Sequence, residues 1–191
     1  MKNEYDDDIK NAVAALKAGK VILYPTDTIW GLGCDPTNAQ AVAKIFQIKQ
    51  RTDSKSMIVL VNSTEMLQRY VSDIPEVALD MVELTDTPLT VVYDKGKSLA
   101  PGVTAEDGSV GARLCLDPFC DDLITAFRRP LVSTSANISG QTAPSTFDEI
   151  SDEIKNAVDY ICQYRQNDQT RSKPSSVIKI SSNGAVKILR E

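Results

Sequence analysis

Apolar residues in this chain come in short runs, and run length is what most limits the fold. Val21-Ile-Leu-Tyr24, Met57-Ile-Val-Leu-Val61 and Leu89-Thr-Val-Val-Tyr93 are four or five residues long. Runs of that length, rich in β-branched side chains, predict buried strands. Ile29-Trp-Gly-Leu-Gly33 predicts a second strand broken by glycines, which suggest close backbone approach. Ser109-Val-Gly-Ala-Arg-Leu114 predicts another strand, and Arg129-Pro-Leu-Val132 predicts a turn into one more. Tyr160 to Gln163 is a short strand candidate. Ser176–Ile180 and Ala185–Leu189 flank Ser181-Ser-Asn-Gly184, which is a hairpin pattern.

Between these runs the period becomes helical. Ile9, Ala12, Val13 and Leu16 share a face over residues 8–18, and Gly19 follows as the cap. Thr37-Asn-Ala-Gln40 is a capping-box pattern, opening a helix with Val42, Ile45, Phe46 and Lys49 on one face. Residues 63–70 and 75–84 read as helices. Asp117-Pro118 is an N-cap followed by proline at the first helical position, ahead of Cys120, Leu123, Ile124 and Phe127 on one face. Thr146-Phe-Asp-Glu149 is a further capping box. Residues 94–108 and the all-polar 166–173 read as loops. Strands and helices mix without strict alternation, and the chain closes on a hairpin. That predicts an α/β (α+β) fold, a mixed sheet covered by helices. At 191 residues, with no internal repeat and no linker, one domain over 1–191 is expected.

The chain has no histidine. That removes Ser-His-Asp and Cys-His catalysis and the commonest metal ligand. Chemistry here must run on Lys, Arg, carboxylates, hydroxyls and backbone dipoles. The net charge of −5 argues against a surface given over to nucleic acid, while leaving room for a local basic patch. No apolar run is long enough to span a membrane, and the acidic start is unlike a secretory signal. Cys34, Cys115, Cys120 and Cys162 show no C-x-x-C spacing and read as reduced, mostly buried thiols. A cytoplasmic location is expected.

Four polar stretches could carry function. Ser133-Thr-Ser-Ala-Asn-Ile-Ser-Gly140 is too polar for core and is anchored by Val132 and Ile138. Its small side chains let backbone N–H groups approach an anion, or else it only caps a following helix. Lys49, Arg51 and Lys55 put three cations within seven residues. They complement a helix C-terminus or form a phosphate clamp. Tyr24-Pro-Thr-Asp-Thr28 joins two strands, and its polar groups satisfy their own turn or face a cleft. Trp30, the sole tryptophan, reads as packing. Arg113 alone would be a surface charge on an edge strand, and Arg190 a solvated terminus.

Together the pattern is specific. Tyr24-Pro-Thr-Asp-Thr-Ile-Trp-Gly-Leu-Gly33, Lys49-Gln-Arg51, Val110-Gly-Ala-Arg113 and Val132-Ser-Thr-Ser-Ala-Asn-Ile-Ser-Gly140, in this order, closely resemble the YrdC-like family over almost the whole chain. The length is similar to the family's single-domain form. The resemblance implies a twisted mixed sheet around a concave, positively charged cavity. It implies the reaction of L-threonylcarbamoyladenylate synthases, which join L-threonine, bicarbonate and ATP and release pyrophosphate, with Mg²⁺ carried by ATP. The product would serve threonylcarbamoylation of adenosine 37 of tRNA through a downstream transferase complex. Contact with tRNA or double-stranded RNA is a further implication, and a membrane is not involved.

By motif position the resemblance gives Thr26, Arg113, Ser133 and Ser175 to L-threonine, Arg113 holding its carboxylate. Arg51, Lys55, Ser109, Ser135, Asn137 and Arg190 fall to ATP, and Lys49 and Arg51 to charge stabilisation as pyrophosphate leaves. Asp86-Thr-Pro88, Lys55-Ser-Met57, Leu60 and Lys173-Pro-Ser-Ser176 depart from the family's pattern. Two other readings are a YciO-like RNA-binding module and a carbamoyl-transfer module like that inside the hydrogenase maturation protein HypF. The intact Ser135-Ala-Asn137 and the acidic charge weigh against the first, and the lack of acylphosphatase and zinc-finger segments against the second.

Overall fold

The computed structural model describes residues 3–51, 57–115 and 117–191. In chain order its helices are α1 (Asp6–Lys17), α2 (Ala39–Ile48), α3 (Thr64–Tyr70), α4 (Glu76–Leu84), α5 (Pro118–Phe127) and α6 (Asp152–Ala157). Its strands are β1 (Ile22–Tyr24), β2 (Gly31–Gly33), β3 (Ile58–Val61), β4 (Leu89–Tyr93), β5 (Val110–Leu114), β6 (Leu131–Ser135), β7 (Tyr160–Ile161), β8 (Ser176–Ile180) and β9 (Val186–Arg190). The apolar runs became strands because neighbours on both sides bury them: Ile22, Leu23, Leu60, Val91 and Leu131 have no exposed surface.

The strands form one mixed sheet in the order β7-β1-β2-β6-β3-β5-β4-β8-β9. β3 runs parallel to β5 and antiparallel to β6, in registers Leu60↔Arg113 and Ile58↔Ser133. β5 therefore lies between β3 and β4 and is not an edge strand, so Arg113 is buried. β2 is shorter than expected because Ile29 and Trp30 belong to the turn that enters it. Its glycines are required by close approach. A Cβ at Gly33 would sit 2.5 Å from Tyr24 Cε1, and one at Gly31 would sit 3.2 Å from Ser133 Oγ.

α5 starts as expected, with the Asp117 carboxylate accepting from Cys120 N–H at 3.1 Å. Two capping boxes are not used as such. Asn38 caps α2, accepting from Gln40 and Ala41 N–H, while the Thr37 hydroxyl turns back to Asp35. No helix begins at Thr146. Glu149 accepts from Ser145 N–H at 2.8 Å, and the helix waits for Ser151, whose hydroxyl accepts from Ile154 N–H. The β7 segment is held to α1 by Asp8, whose carboxylate accepts from Gln163 and Tyr164 N–H, both at 2.7 Å. All four cysteines are free and buried. No helix among the described residues is long and apolar enough to cross a membrane.

Candidate active site

A cavity of about 250 Å³ opens where the β1–β2 turn, the end of β6 and the start of β8 converge. Thr28, Ile29, Trp30 and Gly31 line it from the turn, and Ser133, Thr134 and Ser135 from β6. Arg113 comes from β5, Pro174 and Ser175 precede β8, and Arg190 reaches in from β9. Five of the expected residues thus meet around one space: Arg113, Ser133, Ser135, Ser175 and Arg190.

Arg113 is 4% exposed and faces a counter-charge from the β1–β2 turn. Its Nη2 lies 2.9 Å from Asp27 Oδ1. The contact lacks the alignment of a hydrogen bond, so both Asp27 oxygens and Arg113 Nε remain buried without a hydrogen-bond partner among the described residues. Burial raises the Asp27 pKa, and the nearby Arg113 charge only partly opposes the rise. Arg190 is no idle terminus. Its Nε and Nη2 donate to Ser175 O at 3.1 and 2.7 Å, a two-pronged tie that β9 can supply because it pairs with β8. The Ser175 hydroxyl in turn shares a 2.7 Å hydrogen bond with that of Thr90.

The loop after β6 is fixed by Lys49. This lysine caps the C-terminus of α2 and is 4% exposed. Its Nζ donates to Ser135 O at 2.6 Å and to Asn137 O at 2.8 Å, while its own carbonyl accepts from Ser139 N–H at 2.9 Å. Burial, and then the neighbouring Arg51 charge, lower its pKa to about 8. Asn137 donates its amide to Ile138 O and Gln141 O, which leaves its Oδ1 buried and without a hydrogen-bond partner among the described residues. Gly140 closes the loop at φ +84°, a conformation that favours glycine.

Other expected residues stand elsewhere. Thr26 donates to Ile29 O at 2.8 Å and accepts from Thr28 N–H at 3.0 Å. It lines a smaller neighbouring cavity of about 70 Å³ rather than the main one. Thr28, two residues on, lines both, as the cleft-facing reading of the turn expects, although the resemblance gives it no ligand. Ser109 is buried at the start of β5, and Asp107 Oδ1 accepts from its N–H at 2.9 Å; it does not line the cavity. Arg51 is half-buried, with its guanidinium 5.7 Å from the Phe46 ring centroid, and is also outside the cavity lining. Lys55 lies outside the described residues. Trp30 packs on Phe147, ring centroids 4.8 Å apart, and lines the cavity as well. Packing alone was the reading from sequence, because a lone tryptophan gives no signal of which face is open.

A family model described as telomere recombination, covering Sua5, YciO and YrdC, matches residues 14–191. A threonylcarbamoyl-AMP synthase of Pseudoalteromonas translucida is 34% identical over 181 residues, 93% of this chain and 95% of that protein. The crystal structure of P. abyssi Sua5 complexed with L-threonine aligns with a TM-score of 0.82 at 26% identity, over 93% of this chain. This chain spans about half of that one, 52%. E. coli YciO aligns with a TM-score of 0.85 at 27% identity, over all of this chain and 91% of that one. Fold, motif order and sequence agree, and the chain belongs to the Sua5/YciO/YrdC family.

Proposed function

We propose that this protein condenses L-threonine, bicarbonate and ATP into threonylcarbamoyl-AMP and pyrophosphate, and is therefore a nucleotidyltransferase. The observation that carries the reading is the pairing of two incomplete polar groups in one region. Arg113 offers an unpartnered buried donor, and Asn137 offers an unpartnered buried acceptor on a loop pinned by Lys49. Such groups cost free energy unless a ligand completes them. The relatives named threonylcarbamoyl-AMP synthase support the choice of ligand.

The amine of threonine and bicarbonate give a carbamate and water. A carbamate oxygen then attacks the α-phosphorus of ATP, and the bond to pyrophosphate breaks. No enzyme nucleophile is needed, which suits a chain without histidine. Arg113 would hold the threonine carboxylate, with Ser133 and Ser175 beside it and Thr26 shaping the turn behind. Ser135 and Asn137 would fix the nucleotide, with Ser109 and Arg190 at its margins. Lys49 spends two N–H groups on carbonyls and keeps a third, which with Arg51 and Lys55 would neutralise charge on the phosphates. Holding three reactants in line can supply roughly 7–11 kcal/mol of the barrier. Mg²⁺ would enter with ATP and be held by its phosphates. Among the described residues no group of three or more Cys, Asp or Glu side chains could hold it. The product would pass to a separate transferase acting on adenosine 37 of tRNA.

The test is pyrophosphate release from ATP with and without L-threonine and bicarbonate. Release that needs both is expected. Release indifferent to threonine would replace this reading with carbamoyl transfer of the HypF kind, and no release in any mixture would leave RNA binding as the better account.

A further inference from the structure

We infer that Asp27 is the positioning residue of the amino-acid site, acting on the substrate only through Arg113; this rests on the reading of Arg113 as the carboxylate-binding group. Asp27 does not line the cavity. It sits behind Arg113, its side chain 8% and that of Arg113 4% exposed. A guanidinium buried to that degree without a counter-charge is strongly unfavourable, and the chain would relieve it by turning the side chain toward water. The Asp27 carboxylate removes the need. It engages Nη2, while Nε stays buried without a hydrogen-bond partner among the described residues.

The turn that carries Asp27 is closed by its own hydrogen bonds. The Thr26 hydroxyl accepts from Thr28 N–H and donates to Ile29 O, closing the residues on either side of Asp27 into one hydrogen-bonded unit. Behind the pair stands a second one. Arg165 Nη1 lies 2.6 Å from Asp117 Oδ2, giving a counter-charge to the carboxylate whose repulsion helps raise the Asp27 pKa. In the order Arg165, Asp117, Asp27, Arg113 the two carboxylates are neighbours of like sign, so Arg165 offsets the Asp117 charge and leaves Asp27 as the counter-charge of Arg113. An arginine held only by packing would not need Asp27 at all.

The sole tryptophan lines the cavity, so L-threonine binding to the whole chain can be followed by Trp30 fluorescence without turnover. In Asp27→Asn the affinity for L-threonine falls at least tenfold, while the KM for ATP stays within about twofold. Asp27→Glu restores the charge and returns the affinity to within about threefold of wild type. Asp27→Ser, which crowds nothing, replaces the asparagine variant if that one does not fold. Unchanged or tighter threonine binding in a folded Asp27→Asn or Asp27→Ser overturns the inference, since Asp27 would then be a bystander or a competitor for Arg113. Equal losses for both substrates, or failure of both variants to fold, overturn it as well by making the role structural. Arg113→Ala is the control: if it binds L-threonine like wild type, the reading of Arg113 fails independently of Asp27.

Discussion

Lys49 and Arg113 are both 4% exposed cations, and the chain satisfies them in opposite ways. Lys49 has carbonyl partners, Ser135 O and Asn137 O, and its pKa has dropped to about 8. Arg113 has a carboxylate partner, Asp27. The difference follows from the side chains. A buried ammonium can shed its proton and still donate two N–H groups to two carbonyls. A guanidinium keeps its charge at any pH the protein survives, so burial demands an anion. The lysine therefore serves as a neutralisable clamp for backbone. The arginine keeps a fixed charge and is held against the Asp27 carboxylate.

The comparison breaks most visibly at the arginine. Arg113→Ala should lower kcat/KM for L-threonine about a hundredfold or more, because truncating the charged donor of a buried, hydrogen-bonded carboxylate costs binding roughly 2–5 kcal/mol. The fold should survive, since Asp27, already pushed toward its protonated form by burial, can take up a proton. Arg113→Lys should recover little, as one ammonium cannot reproduce the fork that meets Asp27 and a carboxylate together. Steady-state kinetics with threonine varied decides; full activity in the lysine variant would show that charge alone matters there. A smaller effect is expected at the lysine. Lys49→Met leaves the Asn137 carbonyl without its donor and should cost about 1–3 kcal/mol in denaturant unfolding. It should raise the KM for ATP more than that for threonine, because the loop it releases carries Ser135 and Asn137. A larger rise for threonine would sink the division of labour between the two cations.

How much of this was legible in the sequence depends on range. The strands were, because runs such as Val21–Tyr24 and Leu89–Tyr93 have few other places to go. So was the start of α5, where Asp117 and Pro118 act on their own neighbours. Thr146 to Glu149 had the same local grammar and made no helix, because Glu149 is engaged by Ser145 N–H and by Arg171 at 2.7 Å instead. The site was legible as a set of motifs but not as an arrangement. Nothing near Arg190 in sequence says that it reaches Ser175, since that contact exists only once β9 lies on β8. The Arg113–Asp27 pair likewise joins residues far apart in the chain. The charge density at Lys49, Arg51 and Lys55 left a helix C-terminus and a phosphate clamp both open, and it cannot show that the Lys49 ammonium turns inward to two carbonyls.

The smallest effect tests the lysine's side of the contrast most directly. An unfolded lysine titrates near 10.5, while Lys49 in the folded protein titrates near 8. Between those values the unfolded chain binds more protons at this position than the folded one, so stability rises with pH there. Below pH 8 both states carry the proton, and the charged, buried ammonium exacts its full penalty. As pH climbs from about 8 toward 10.5 that penalty is relieved, by at most about 1.4 kcal/mol per pH unit. Other titrating groups move wild type and Lys49→Met alike, so the difference between the two isolates Lys49. Denaturant unfolding of both proteins at pH 7, 8, 9 and 9.5 should show wild type gaining on the variant above pH 8 and running parallel to it below. A flat difference across the range would mean that Lys49 keeps its charge as an arginine does. In that event the carbonyls of Ser135 and Asn137, rather than proton loss, would be what makes a buried cation tolerable in this loop.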